Sequence, residues 1–114
     1  MKMITAIVKP SVCDQLTDAL SVAGVTGLTV TEVRGYGRQK GQTEVYRGAE
    51  YQVTLIPKLR FDIAVEAGNV SRLVDVIKDA AKTGKIGDGK IFVTDLEQAM
   101  RIRTGETGSD AVNI

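Results

Sequence analysis

The sequence predicts one α+β domain, a four-stranded antiparallel sheet with two helices on one of its faces. Three observations carry that prediction. Two segments with helical spacing are each flanked by short β-rich runs. A long stretch without sustained period separates the two strand-helix-strand halves. The chain has 114 residues, room for one modest core and not for two.

The first strand is Met3 to Lys9, stopped by Pro10. Pro10 and Ser11 open the first helix, with Ser11 as its cap and Asp14 in the first turn, where negative charge suits the helix dipole. Val12, Leu16, Ala19, Leu20 and Ala23 form its apolar stripe, and Gly24 ends it in the left-handed conformation. Leu28 to Arg34 alternates and is rich in Thr and Val, which gives the second strand. From Gly35 to about Thr54 no period is sustained, and a run that long inside a compact domain is usually functional. After Pro57 the third strand, KLRFDIAVEA, turns Leu59, Phe61, Ile63 and Val65 one way. Lys58, Arg60, Asp62, Ala64 and Glu66 turn the other. Val70, Leu73, Val74, Ile77, Ala80 and Ala81 mark the second helix, with Asp75, Lys78, Asp79 and Lys82 opposite and Gly84 as its stop. The glycine loop TGKIGDG leads into the fourth strand, Lys90 to Asp95, and the tail RIRTGETGSDAVNI begins strand-like and ends in polar glycine turns. Two strand-helix-strand units in this order make the double split βαβ of ferredoxin-like folds. Met3, Ile7, Val33 and Phe92 fall on the face without helices, so that face is partly apolar and an oligomer is expected.

Composition narrows the function. Hydrophobic residues at 43% and charged residues at 25% suit a globular domain rather than a disordered chain. A net charge of +1 lacks the basic excess of a nucleic-acid binder. Cys13 is the only cysteine, so no internal disulfide forms, which fits a reducing cytosol. No apolar run has the length of a membrane span, and MKMITAIVKP is too short and too alternating for a signal peptide. Histidine is absent, which removes the commonest general base and most zinc sites.

Several segments suit anion chemistry. In TGKIGDGK, Gly84, Gly89 and Lys90 satisfy the P-loop spacing G-x-x-x-x-G-K. Yet Ile91 stands where the magnesium-binding Ser or Thr belongs, and the loop runs from helix to strand, the reverse of a P-loop. The residues leave two readings: a glycine turn ending a helix, or a small nest of backbone N–H groups with Lys85 and Lys90 beside it. Arg101 and Arg103, two apart in an alternating stretch, would point the same way and suit a polyphosphate at ~1.5–3 kcal/mol per forked contact. The plainer reading is a solvated strand edge. Gly35, Gly37 and Gly41 surround Arg38, Gln39 and Lys40 without the dinucleotide spacing, and read by themselves as a hinge at the base of the long loop. Lys58 on a polar strand face matters only if an anion lies nearby.

Taken together, GLTVTEVRGYGRQKG, TEVYRGAEY, TGKIGDGKIFV and RIRTGETG resemble the PII nitrogen-regulatory signal proteins, over nearly the whole chain and in order. The resemblance implies one domain over residues 1–114, a T-loop at about 37–54, a phosphate loop at about 82–90 and a C-terminal loop at about 101–110. It implies a homotrimer of ferredoxin-like subunits with an extended T-loop, binding ATP or ADP between subunits. Gly87, Asp88, Gly89 and Lys90 would wrap the phosphates, with Gly37 and Arg38 nearby and Arg101 and Arg103 from the neighbouring subunit. Gly27 and Thr29 would lie near the ribose, and Ala64 would meet the base through its backbone. Mg2+ would be held by ATP, by 2-oxoglutarate and by Gln39. The backbone of Gly37, Gln39, Lys40 and Gly41 would close over 2-oxoglutarate, and Lys58 would pair with its distal carboxylate.

On the long loop, Tyr51 matches the tyrosine that a nucleotidyltransferase uridylylates or adenylylates, and Arg47 matches a residue that contacts partners. The implied function is a cytoplasmic, non-enzymatic switch. It would regulate an ammonium transporter or enzymes of nitrogen metabolism without touching nucleic acid or inserting in a membrane. A nucleotide-binding regulator of another transporter or enzyme, without 2-oxoglutarate sensing, is the second reading.

Overall fold

The computed structural model describes residues 1–36, 44–46, 49–51 and 55–112, with side chains over 1–36 and 55–112. In chain order it contains β1 (Lys2–Val8), a 3-10 turn (Pro10–Val12), α1 (Cys13–Val22), β2 (Thr29–Gly35), β3 (Glu44–Tyr46) and β4 (Ala49–Tyr51). There follow β5 (Ile56–Val65), a second 3-10 turn (Ala67–Asn69), α2 (Val70–Ala81), β6 (Lys90–Asp95) and α3 (Ser109–Val112). The main sheet runs β2-β5-β1-β6, antiparallel throughout. Each long helix joins two strands that have a third strand inserted between them, which is the ferredoxin-like arrangement expected from the element order.

Alternation places the core. Ile4, Ala6 and Val8 of β1 and Phe61, Ile63 and Val65 of β5 are buried, and they meet Leu16 and Leu20 of α1 and Leu73, Ile77 and Ala81 of α2. Ala6 stands opposite Phe61 in the β1–β5 register, so the smallest inward residue makes room for the largest. On the opposite face the register groups Met3, Ile7, Val33 and Phe92 with Thr5, Thr29, Thr31, Lys58, Arg60, Asp62 and Lys90. Neither α1 nor α2 lies on that face, and it is a mosaic of apolar and polar groups: Phe92 is 49% exposed, while Met3, Ile7 and Val33 are half-buried.

Local chemistry explains most boundaries. Gly24 has φ 99°; its N–H bonds the Ser21 carbonyl at 3.0 Å and the Val25 N–H bonds that of Leu20 at 3.0 Å, which together close α1 with a Schellman motif. Ser11 does not cap this helix. It lies inside the 3-10 turn, Val12 occupies the cap position, and no side chain bonds there. Asp14 does lie in the first turn. α2 ends at Ala81 because Lys82 turns to extended backbone, with ψ 123°; Gly84 belongs to the loop that follows.

Two sequence expectations about strands are corrected. Pro57 lies within β5, not before it. It pairs only with Arg34 of β2, because β1 stops at the Val8–Leu59 rung, so its missing N–H faces no neighbour strand. The long loop is not without structure either: Glu44–Tyr46 and Ala49–Tyr51 form an antiparallel ladder in which Glu44 meets Tyr51 and Tyr46 meets Ala49. Strands of three residues are too short to show a period.

The tail also departs from expectation. Arg101 to Thr104 form a turn, closed by the Gly105 N–H to the Arg101 carbonyl at 2.8 Å and the Arg101 N–H to the Glu106 carbonyl at 2.9 Å. Strand alternation therefore does not align Arg101 with Arg103. The chain then enters the short α3 instead of ending in turns.

Candidate functional site

The glycine loop between α2 and β6 is organised around one carboxylate. Asp88 accepts from the Thr83 hydroxyl, from the Thr83 N–H at 2.9 Å and from the Gly84 N–H at 3.0 Å. Lys9, at the end of β1, sits 3.4 Å from Asp88 Oδ1 and donates to Thr83 Oγ1 at 3.2 Å. Ile86 and Gly87 form a turn, and Gly84, Gly87 and Gly89 all have positive φ, at 81°, 97° and 104°. The N–H groups of Ile86 and Gly87 meet no acceptor among the described residues. Gly89 has a second reason to lack a side chain: a Cβ there would lie 1.7 Å from the Ile7 carbonyl oxygen. The loop is thus seated against the end of the central strand.

These bonds, the Thr83 hydroxyl first, pull the Asp88 pKa down from 3.8 to about 2. A carboxyl depressed by folding stabilises above its ordinary value and loses that contribution as pH falls through the folded value. A carboxyl NMR titration should therefore place Asp88 near 2, with the loop contacts weakening only between 3.8 and about 2. A midpoint at the ordinary value would mean that the carboxylate is not bonded into the loop.

Lys58 reaches the same loop. Its ammonium donates to the Gly87 carbonyl at 2.6 Å. Partial burial, then the neighbouring Lys9 ammonium, lower its pKa, against an opposing pull from Asp88. Lys9, Lys58 and Lys90 thus lie by a loop with one carboxylate, whose oxygens are already engaged. The net charge and the free N–H groups suit an anion with several oxygens.

A second group of expected residues comes together elsewhere. Gly27, Thr29, Ala64 and Arg101 line a cleft of 340 Å³ at the other end of the open sheet face. Asp62, Met3, Thr26 and Leu28 line it too, as do Ala111 and Val112 of α3. Asp62 was not foreseen as a site residue. Its carboxylate is fixed by the Thr5 hydroxyl at 2.6 Å and by Arg60 Nε at 2.9 Å. The signal was present in the sequence, since Asp62 and Ala64 are two apart on one strand face. Arg101 approaches Glu106 at 3.9 Å, whereas Arg103 lies exposed on the outside of the turn and does not line the cleft. The glycine loop is not part of this cleft; Asp88, Gly89 and Lys90 line a separate hollow with Ile7 and Val8. Gly37, Arg38, Gln39, Lys40, Gly41 and Arg47 lie outside the described residues, and Tyr51 is described only through its backbone in β4.

Fold and site define a class: a ferredoxin-like domain with an anion-suited glycine loop that runs from helix to strand, unlike that of a P-loop NTPase. Comparison with known proteins makes the assignment specific. A family profile described as "Nitrogen regulatory protein P-II" matches residues 1–106. Proteins of that name are similar to the chain across 98% of its length and 100% of theirs. They include one from Rhizobium etli at 57% identity, one from Pasteurella multocida at 55% and one from Azospirillum brasilense at 54%. The chain belongs to the P-II family of nitrogen regulatory proteins and is a signalling regulator, not an enzyme. Among the described residues no helix is long and apolar enough to cross a membrane.

Proposed function

We propose that the protein is a homotrimeric cytoplasmic sensor that binds ATP or ADP between subunits, reads 2-oxoglutarate beside the phosphates, and reports to partners through residues 37–54. The carrying observation is the division of the candidate residues into two groups at opposite ends of the main sheet. Gly27, Thr29, Ala64 and Arg101 share a cleft, while Gly87, Asp88, Gly89 and Lys90 lie four residues further along β1, roughly 13 Å away at the rise of a strand. Neither half encloses a ligand by itself. A second copy packed on the uncovered face would bring the cleft of one chain to the loop of the next, with Arg101 and Arg103 reaching the phosphates across the boundary. This also accounts for a partly apolar face that neither long helix covers.

In this reading the cleft takes the nucleoside and the glycine loop the phosphates. Gln39 joins Mg2+, and the backbone of Gly37 to Gly41 closes over 2-oxoglutarate. Lys58, whose ammonium already touches Gly87, holds the distal carboxylate with its remaining donors. Tyr51 is the acceptor for a nucleotidyl group, and Arg47 is a contact for an ammonium transporter or an enzyme of nitrogen metabolism. Each ligand would favour one arrangement of the 37–54 segment, and linkage would make the coupling reciprocal at ~1–3 kcal/mol. Titration calorimetry with 2-oxoglutarate, with and without Mg-ATP, should show at least about fivefold tighter binding with the nucleotide present. Equal affinities would remove the sensor reading and leave a nucleotide-binding regulator without 2-oxoglutarate sensing.

A further inference from the structure

The geometry points to Lys9 as a positioning residue for phosphate: its ammonium, held between Thr83 and Asp88, fastens the base of the glycine loop to the end of β1 and presets the loop for a polyphosphate. The inference rests on the nucleotide reading and adds to it a residue, outside the expected ligand contacts, that meets the loop through Asp88. Lys9 lies one residue past β1, on the chain that also bounds Gly89 through the Ile7 carbonyl. Its contacts with Thr83 Oγ1 at 3.2 Å and Asp88 Oδ1 at 3.4 Å span 74 and 79 positions of sequence, so they are tertiary fasteners and not parts of a local turn. The Lys9 side chain is only 21% exposed and that of Asp88 25%, which sets this pair apart from a fully solvated surface ion pair.

Two consequences follow for an anion. First, Lys9 offsets the negative charge of Asp88, which would otherwise face an incoming phosphate across a short loop. Second, it fixes both ends of the loop. Thr83 and Gly84 are tied to Asp88, Lys85 to Thr83, Asp88 to Lys9, and Lys9 to the central strand, so the Ile86 and Gly87 N–H groups are the donors left for a ligand. Lys58 adds a link from β5 to the Gly87 carbonyl; burial first, and the Lys9 charge second, lower its pKa.

The test compares Mg-ATP with adenosine, which shares the nucleoside and lacks the phosphates, by calorimetry on the full chain. Lys9→Gln should weaken Mg-ATP by about tenfold, the size of a lost charge-assisted contact, and leave adenosine binding as in the parent. Lys9→Arg should recover most of the Mg-ATP affinity. Thr83→Val, which keeps the side-chain shape and removes the hydroxyl from both partners, should show the same selective loss. Mg-ATP affinity unchanged in both Lys9→Gln and Thr83→Val, or an equal fall for Mg-ATP and adenosine, would overturn the positioning role while the nucleotide reading stands. A parent protein that binds no Mg-ATP would overturn the nucleotide reading itself.

Discussion

Gly89→Ala is expected to destabilise the protein by about 3 kcal/mol or more, a larger effect than Gly84→Ala should show. Two penalties coincide at this position. The backbone holds φ 104°, which L side chains rarely adopt, and a Cβ would overlap the Ile7 carbonyl oxygen at 1.7 Å and approach its carbon at 2.8 Å. Neither atom can move without shifting β1, whose neighbours on both sides are hydrogen-bonded to it. Gly84→Ala makes the comparison clean. Position 84 has φ 81°, but a Cβ there would meet nothing within 4 Å, so only the left-handed strain of ~1–2 kcal/mol applies. For a domain of this size ~1 kcal/mol moves Tm by about 4 °C, so Gly89→Ala should melt more than about 10 °C below the parent and well below Gly84→Ala. Equal melting of the two variants would mean that the loop is not pressed against the central strand.

Phe61→Ala should cost about 3–5 kcal/mol, a large share of the stability of any domain this small. Phe61 is fully buried, the largest such side chain among the described residues, and it occupies the β5 rung that pairs with Ala6 and with Val30. Because Ala6 is already small, nothing across that rung can grow into the vacancy. Phe92 provides the contrast. It lies on the open sheet face at 49% exposure, so Phe92→Ala should cost a dilute single chain far less. Urea unfolding should show a lowered midpoint for Phe61→Ala with an unchanged slope. Similar midpoints for the two variants would argue that the core does not lie on the Phe61 face.

Most of the fold could be read from periodicity because the deciding interactions are local or one-sided. The alternation of Leu59, Phe61, Ile63 and Val65 shows which face of β5 is buried, and Lys90–Asp95 forms the predicted strand residue for residue. The failures had two causes, a distant strand in one case and a local turn in the others. Pro57 is tolerated inside β5 only because β1 ends two residues short of it, which no reading of residues 55–66 reveals. Ser11 has the chemistry of a cap, but the 3-10 turn after Pro10 carries the chain past the position where a cap would act. The pairing of Arg101 with Arg103 failed because the segment closes on Glu106 and does not extend. Of the site, spacing exposed the glycine loop and the lysines. The bonds that Asp88 accepts from Thr83, and its approach to Lys9 from the far end of the chain, were not visible in the motif.

The ladder between β2 and β5 has a mechanical consequence. Its final rungs, Val33–Lys58, Arg34–Pro57 and Gly35–Ile56, lie past the end of β1 and form a two-stranded neck with no third strand behind it. Lys58 sits at the root of that neck, bonded to Gly87 on one side. Across that neck a single ladder of backbone bonds, and not two, resists bending, so the sheet is most compliant at the level of Lys58.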